Sequence, residues 1–318
     1  EAQAVALELF NVDVNEFGSS TPNDIVAVGG LAVMGASFGT EREIHIVDPL
    51  DPEAGSTVVN VNPGVLGSFP YAVTGVGNRA VFGARQGTDT ELYVVDPMNP
   101  GAGATLVNIN APGSSNPSNI GSVAGFAVLQ ATNGDTELHV LDPLNPGAGT
   151  TEVDINPVGS SNPQMPIEAA GMAVFAAADD GTDVEVHVVD PANPGAGATE
   201  IDIRPAGSSV PTELTTVGGL VVLAAFDATD RELHIIDPLN PGAGTTKVDV
   251  VAGPGSSSPT DITAVAGLAV FAAGSTLGRE LHIVDPTNPG AGATTVDIAE
   301  GFHQNSFPEE IAAVSGRA

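Results

Sequence analysis

The stretch that decides the fold is GRELHIVDPTNPGAGATTVDI, residues 278 to 298. Its first part, GRELHIV, is a short run rich in β-branched and apolar residues, which is the signal of a strand. In DPTNPGAG the prolines fix φ and the glycines permit φ > 0, so the chain turns. ATTVDI then reads as a returning strand. The phrase is written six times. Its Asp-Pro pairs begin at Asp48, Asp96, Asp142, Asp190, Asp237 and Asp285, in steps of 46 to 48 residues, and a period of that size marks a repeat architecture.

Two further strands precede the hairpin in each period, as in DITAVAG (261 to 267) and LAVFAA (268 to 273). The four are labelled A to D. A and B meet at a near-immediate turn, which predicts a tight hairpin. B and C are joined by acidic loops such as ADDGTD (178 to 183) and FDATDR (226 to 231). The C to D turn is NPGAG in five copies and DPEAG in the first, where Glu53 replaces a glycine. D leaves through segments of the NPVGSSNP type (156 to 163). Apolar residues on both faces of the C strands predict sheets covered on both sides.

Four antiparallel strands in a period of roughly 40 to 50 residues is the blade of a β-propeller. The expected fold is therefore all-β, a propeller of six complete four-stranded blades in a single domain over 1–318. The blades span about 24–62, 70–110, 118–156, 166–204, 212–251 and 260–298. Two strands are surplus, a D-type strand at 6–14 (ALELFNVDV) and an A-type strand within 308–318 (PEEIAAVSGRA), parts of a seventh unit. IAAVSG (311–316) is apolar, uncharged and proline-free, so it lacks the devices that blunt a sheet edge, and ALELFNVDV is apolar along one face. The expectation is that they pair, either within one chain or head to tail between chains by strand addition.

The unit resembles the bacterial repeat family named for its ELWxxDGT motif. ELHIVDP stands in the motif's place, followed by segments like TTEVDINPVGSSNP and AAGMAVFAA within 150–176. His replaces the aromatic residue in five copies, Tyr93 stands there in the second, and Asp-Pro replaces Asp-Gly. The resemblance implies a secreted or surface β-propeller and no general catalytic function.

Charge narrows the partners. The chain has 39 acidic and 8 basic residues, a net charge of −31, and Lys247 is its only lysine. Such a surface repels nucleic-acid phosphates and anionic membranes, and no apolar run reaches the roughly 18 residues that span a bilayer. The expected partner is a second copy of the chain, with no nucleic acid and no membrane insertion. Self-repulsion of this size is screened in salt, which suits a saline habitat. With no cysteine, disulfides and thiolate metal sites are excluded. The start, EAQAVALELF, suits a mature secreted chain, so the expected location is extracellular or at the cell surface.

Repetition also separates structural from functional candidates. His45, His139, His187, His234 and His282 share one position, yet zinc ligands lie about 2.0 to 2.1 Å from the metal while packed sheets stand roughly 10 Å apart. They are read as packed, hydrogen-bonded histidines. Glu43, Glu91, Glu137, Glu185, Glu232 and Glu280 precede them, read as strand-start carboxylates paired locally or solvated. Asp13, Asn60, Asn108, Asp154, Asp202, Asp249 and Asp297 recur in strand D and are expected to bond the histidines or turn amides. The acidic B to C loops differ between copies, which makes them the functional candidates. Asp179, Asp180 and Asp183 form the densest group, with Asp135, Asp227 and Asp230 in other loops. Carboxylates are the oxygen ligands calcium takes, so the expected metal is Ca2+, although EF-hand spacing is absent. No catalytic or cofactor-binding residue stands out. The expected function is a non-enzymatic extracellular structural, self-assembling or adhesive propeller, and the alternative is a secreted ligand-binding or hydrolytic propeller with a cation-binding loop face.

Overall fold

A computed structural model describes residues 11–15, 18–63, 67–275, 278–298 and 305–314. Among them lie six four-stranded antiparallel sheets, each a β-propeller blade with its strands in the order A, B, C, D. The first blade is β1 (Asn23–Val28), β2 (Leu31–Phe38), β3 (Glu41–Val47) and β4 (Ser56–Val59). The second is β5 (Tyr71–Val76), β6 (Arg79–Gln86), β7 (Asp89–Val95) and β8 (Ala104–Val107). The third is β9 (Ser118–Val123), β10 (Phe126–Asn133), β11 (Asp135–Leu141) and β12 (Thr151–Val153). The fourth is β13 (Gln164–Ala169), β14 (Met172–Ala178), β15 (Val184–Val189) and β16 (Thr199–Ile201). The fifth is β17 (Thr212–Val217), β18 (Leu220–Phe226), β19 (Arg231–Ile236) and β20 (Thr246–Val248). The sixth is β21 (Thr260–Val265), β22 (Leu268–Ser275), β23 (Gly278–Val284) and β24 (Thr294–Val296). Two compact units are distinguished, Glu1–Ala127 with Ala131–Asn133 and Leu141–Thr150, and Val128–Gln130 with Gly134–Val140 and Thr151–Ala318.

The turns follow from local chemistry. At A to B, Ala124 and Gly125 have φ of 49° and 87°, the two left-handed residues a tight twisted hairpin requires. At C to D the proline begins one 3₁₀ turn, such as Pro100–Ala102, and the second glycine of NPGAG follows at positive φ, 76° at Gly103. The first glycine of that motif is not left-handed, which explains why Glu53 is accepted in its place. The aspartate of each Asp-Pro pair accepts from the amide two residues on, as Asp190 Oδ1 does from Ala192 N at 2.9 Å. The D strands have only three or four residues, which leaves short outer edges.

In the second unit the core forms where consecutive blades face each other. Leu233, Ile235 and Val248 of the fifth blade pack against Ala269, Phe271, Ala273 and Val284 of the sixth. Val186, Val188, Ile201 and Ile203 of the fourth pack likewise against Val221, Leu223, Ala225 and Ile236 of the fifth. In the first unit, the first and second blades meet through Ile44, Ile46 and Val59 against Ala80, Phe82 and Ala84. Fully burying such a side chain contributes roughly 1.5 to 3 kcal/mol.

Both surplus segments take up repeat positions. Val14, with Val12 beside it, packs on Met34, Ala36 and Val47, as Ile203 and Ile201 pack on Leu223, Ala225 and Ile236. Residues 6–10 of the expected N-terminal strand lie outside the described residues. At the other end Thr263 Oγ1 donates to Ile311 O at 2.8 Å, the counterpart of Thr215 Oγ1 donating to Ile262 O at 2.9 Å. Glu310 has φ of 51°, matching Asp261 at 55°. Residues 305–314 thus lie beside β21 in the place of a further A strand, although only Val314 is in a β-bridge. Residues 315–318 lie outside the described residues.

Candidate functional site

The repeated polar residues form a structural frame. Each C strand places its glutamate inside, at most 2% exposed in all six blades. Glu185 Oε2 accepts from Ile203 N at 3.0 Å and Ser209 Oγ at 2.6 Å, while its Oε1 accepts from Ser209 N at 2.8 Å. Ser161 and Ser257 do the same for Glu137 and Glu232. The expectation of locally paired or solvated carboxylates is corrected: they are buried, and their partners stand about half a period away. Burial pushes Glu43, Glu137, Glu185 and Glu232 above the usual carboxylate range, against the lowering effect of their bonds to serine.

The histidines are packed as expected. His187 stacks on Phe175 with centroids 5.9 Å apart, and His282 on Phe271 at 5.6 Å. Nδ1 meets a hydroxyl in His45 (Ser56 Oγ, 2.9 Å) and His234 (Thr245 Oγ1, 3.0 Å). Burial holds His139, His187 and His234 down to about 4, so these imidazoles are neutral at pH 7. The seven Asp and Asn residues of the D-strand position are all exposed, and of the two expected partners, histidines or turn amides, Asp13 has the second, its Oδ1 accepting from Asn15 N at 3.1 Å. Alternation turns these residues to the solvent face, in the first five blades one residue away from a buried Val or Ile.

What varies between blades is the B to C loop. In the fifth blade Asp227 Oδ1 closes the loop by accepting from Thr229 N, Thr229 Oγ1 and Asp230 N. Lys247, opposite His234 in β20, then bridges Asp227 Oδ2 at 3.0 Å and the buried Asp230 Oδ1. The fourth blade repeats the loop. Asp180 Oδ1 accepts from Thr182 N, Thr182 Oγ1 and Asp183 N. But the position of Lys247 is taken by Glu200, opposite His187 in β16. Where the fifth blade has a cation between two aspartates, the fourth gathers Asp179, Asp180, Asp183, Glu200 and Asp202. Partial burial and the carboxylates of Asp179, Asp202, Glu185 and Asp183 push Glu200 up to about 7. Asp183 is likewise raised, by burial and by Asp179 and Asp180. The expected trio is therefore one electrostatic cluster with two members that sequence reasoning missed, Glu200 and Asp202. Among the described residues no three His, Asp or Glu side chains are grouped so as to hold a metal ion.

Comparison with known proteins finds distant structural similarity alone. No family model matches the chain, and no curated protein matches it. Solved structures similar to it include a prolyl endopeptidase (14% identity over 87% of this chain and 42% of that one, TM-score 0.49). Oligopeptidase B from Leishmania major is 12% identical over 90% of this chain and 42% of its own, with a TM-score of 0.48. Apo AztD from Citrobacter koseri is 18% identical over 86% and 70%, with a TM-score of 0.47. The chain spans less than half the length of the first of these. The six four-stranded antiparallel sheets themselves define the class, that of β-propeller proteins. Among the described residues no helix is long and apolar enough to cross a membrane.

Proposed function

We propose that the chain is a non-catalytic structural propeller that associates with copies of itself through the outer face of its last blade. One observation carries this reading. Val296 of β24 is 37% exposed, whereas its counterparts Val59, Val107, Val153, Ile201 and Val248 are 2% exposed. Leu281 and Ile283 on the same face are half-buried where Leu233 and Ile235 are buried, and Ile298 is 56% exposed. This surface has the residue pattern that receives a B and a C strand elsewhere in the repeat, so the fitting occupant is another blade of the same repeat. A second copy supplies one: β2 and β3, with Ala32, Met34, Ala36 and Val47, correspond to the strands that fill this role in the fifth blade. In that copy Val12 and Val14 cover them, so the N-terminal segment competes with association. An extracellular or cell-surface location belongs to the same reading and rests on the acidic composition and the family resemblance.

Light scattering across protein concentration tests it. Full-length protein should form a concentration-dependent oligomer, deletion of residues 1–14 should strengthen it, and Val296→Glu with Ile283→Glu should weaken it. A stable monomer in all three proteins overturns the reading.

A further inference from the structure

Three blades hold an arginine in the same inward place. Arg231 reaches Val210 O (3.2 Å), Thr212 Oγ1 (2.5 Å) and Ala224 O (3.4 Å). Arg279 reaches Ser258 O (3.2 Å), Thr260 Oγ1 (2.5 Å) and Ala272 O (3.4 Å). Arg42 does the same with Thr21 O (2.9 Å), Asn23 Oδ1 and Gly35 O (3.2 Å). The three acceptors are supplied by the connecting segment, the first residue of strand A and the B-strand residue paired with it. A planar guanidinium fork suits such a convergent set of oxygens.

The second blade fills this place differently. Tyr71 lies over Gly83, its ring filling the space that a Cβ there would need. In the fourth blade the arginine position is Val184, which cannot reach across. The acceptor positions remain as Asn162 O, the Gln164 side chain and Ala176 O, and these residues line an open cavity of about 370 Å³ with Ala178 and Val184. Ala178 stands where Phe226 packs on the Arg231 guanidinium at 5.0 Å, so the small side chain leaves further room. The loop that follows is acidic, beginning at Asp179. Cavity, acceptors and charge all favour the same group.

We infer that this cavity of the fourth blade is a guanidinium-binding site, receiving the arginine side chain of a partner where three other blades use their own. The carbonyl and amide oxygens fix the plane of the group, and the acidic loop favours its charge. Selectivity for guanidinium over ammonium follows, because a point-like ammonium cannot engage several separated acceptors at once.

The probe is methylguanidinium, titrated calorimetrically at constant ionic strength with methylammonium as the control cation. Wild-type protein should show one saturable equivalent for methylguanidinium and none of comparable strength for methylammonium. Val184→Arg should fill the cavity from within and weaken binding at least tenfold, with a melting temperature no lower than wild type. Arg231→Val should open a second site and raise the stoichiometry to two. Gln164→Leu, which leaves the blade frame untouched, should weaken binding on its own. Binding unchanged in Val184→Arg and Gln164→Leu, or equal affinity for both cations, identifies general condensation on an acidic surface and overturns the inference. Because these measurements read binding rather than mass, they succeed or fail independently of self-association.

Discussion

Ser209 Oγ donates to Glu185 Oε2 over 2.6 Å, across a separation of 24 residues, and both side chains are fully buried. The bond ties the C strand of the fourth blade to the connector entering the fifth. The neighbouring Ser209 carbonyl accepts from Phe226 N at 2.8 Å, which carries the tie into the next B strand.

Ser209→Ala removes one donor and leaves a buried carboxylate under-satisfied. The expected loss of stability is about 1 to 3 kcal/mol. Urea unfolding measures it, and an unchanged midpoint would show that the carboxylate finds an equal partner.

The C to D turn distinguishes its two glycines. Gly103→Val and Gly149→Val place a β-branched residue at φ of 76° and 79°, with an expected cost of about 1 to 3 kcal/mol. Gly101→Glu should be nearly neutral, since the first blade carries Glu53 in that place. Thermal melting of the three variants separates backbone strain from a general intolerance of the turn.

Stability should fall as the solution is acidified. His139, His187 and His234 titrate near 4 in the folded protein and near 6.5 when unfolded, so between these values the unfolded chain binds more protons. Their contribution is complete above about 6.5, declines as pH falls, and is exhausted below about 4. The raised glutamates act with the opposite sign, since their contribution is lost as pH rises above the ordinary carboxylate range. His187→Tyr, which copies the natural Tyr93 of the second blade, isolates one histidine: it should reduce the slope of stability against pH between 4 and 6.5. An identical slope in both proteins contradicts the assignment.

Lys247 and Glu200 should respond oppositely to substitution. Lys247→Ala strands Asp230, whose side chain is 1% exposed, at an expected cost of roughly 2 to 3 kcal/mol. Glu200→Lys recreates the bridge in the fourth blade. It should raise the melting temperature most above pH 7, because a group raised to about 7 contributes stability below its unfolded value that is lost as pH rises through 7. A lower melting temperature for Glu200→Lys at pH 8 overturns the equivalence of the two loops.

The strands and turns were legible because their causes are local: alternation of apolar residues, proline φ, and glycine at left-handed positions. The serine partners of the glutamates were not, because each lies 24 to 26 residues on, inside a segment whose composition reads as a linker. The arginine sites leave a trace only when the copies are compared in register. Arg-Glu opens the C strand at 42–43, 231–232 and 279–280, while Val-Glu stands at 184–185. A cavity made by what is missing from one copy has no signature within that copy alone. Glu200 was hidden for a similar reason, since strand pairing rather than sequence proximity brings it beside the loop of Asp180 and Asp183.

The glutamate-to-serine ties also decide where the chain tolerates foreign sequence. From Glu137 to Ser161 the polypeptide lies inside a closed hydrogen-bonded loop, and so it does from Glu185 to Ser209. Between Ser161 and Glu185 no tie is crossed, and there the loop between β14 and β15 is already one residue longer than its counterpart between β18 and β19. A peptide grafted at 179–183 would lengthen a span outside the glutamate-to-serine ties, held by the local bonds of Asp180, whereas the same graft in the connector at 156–160 would stretch a span that a tie closes. The B to C loop of the fourth blade is thus an insertion point that leaves the ties on either side of it closed.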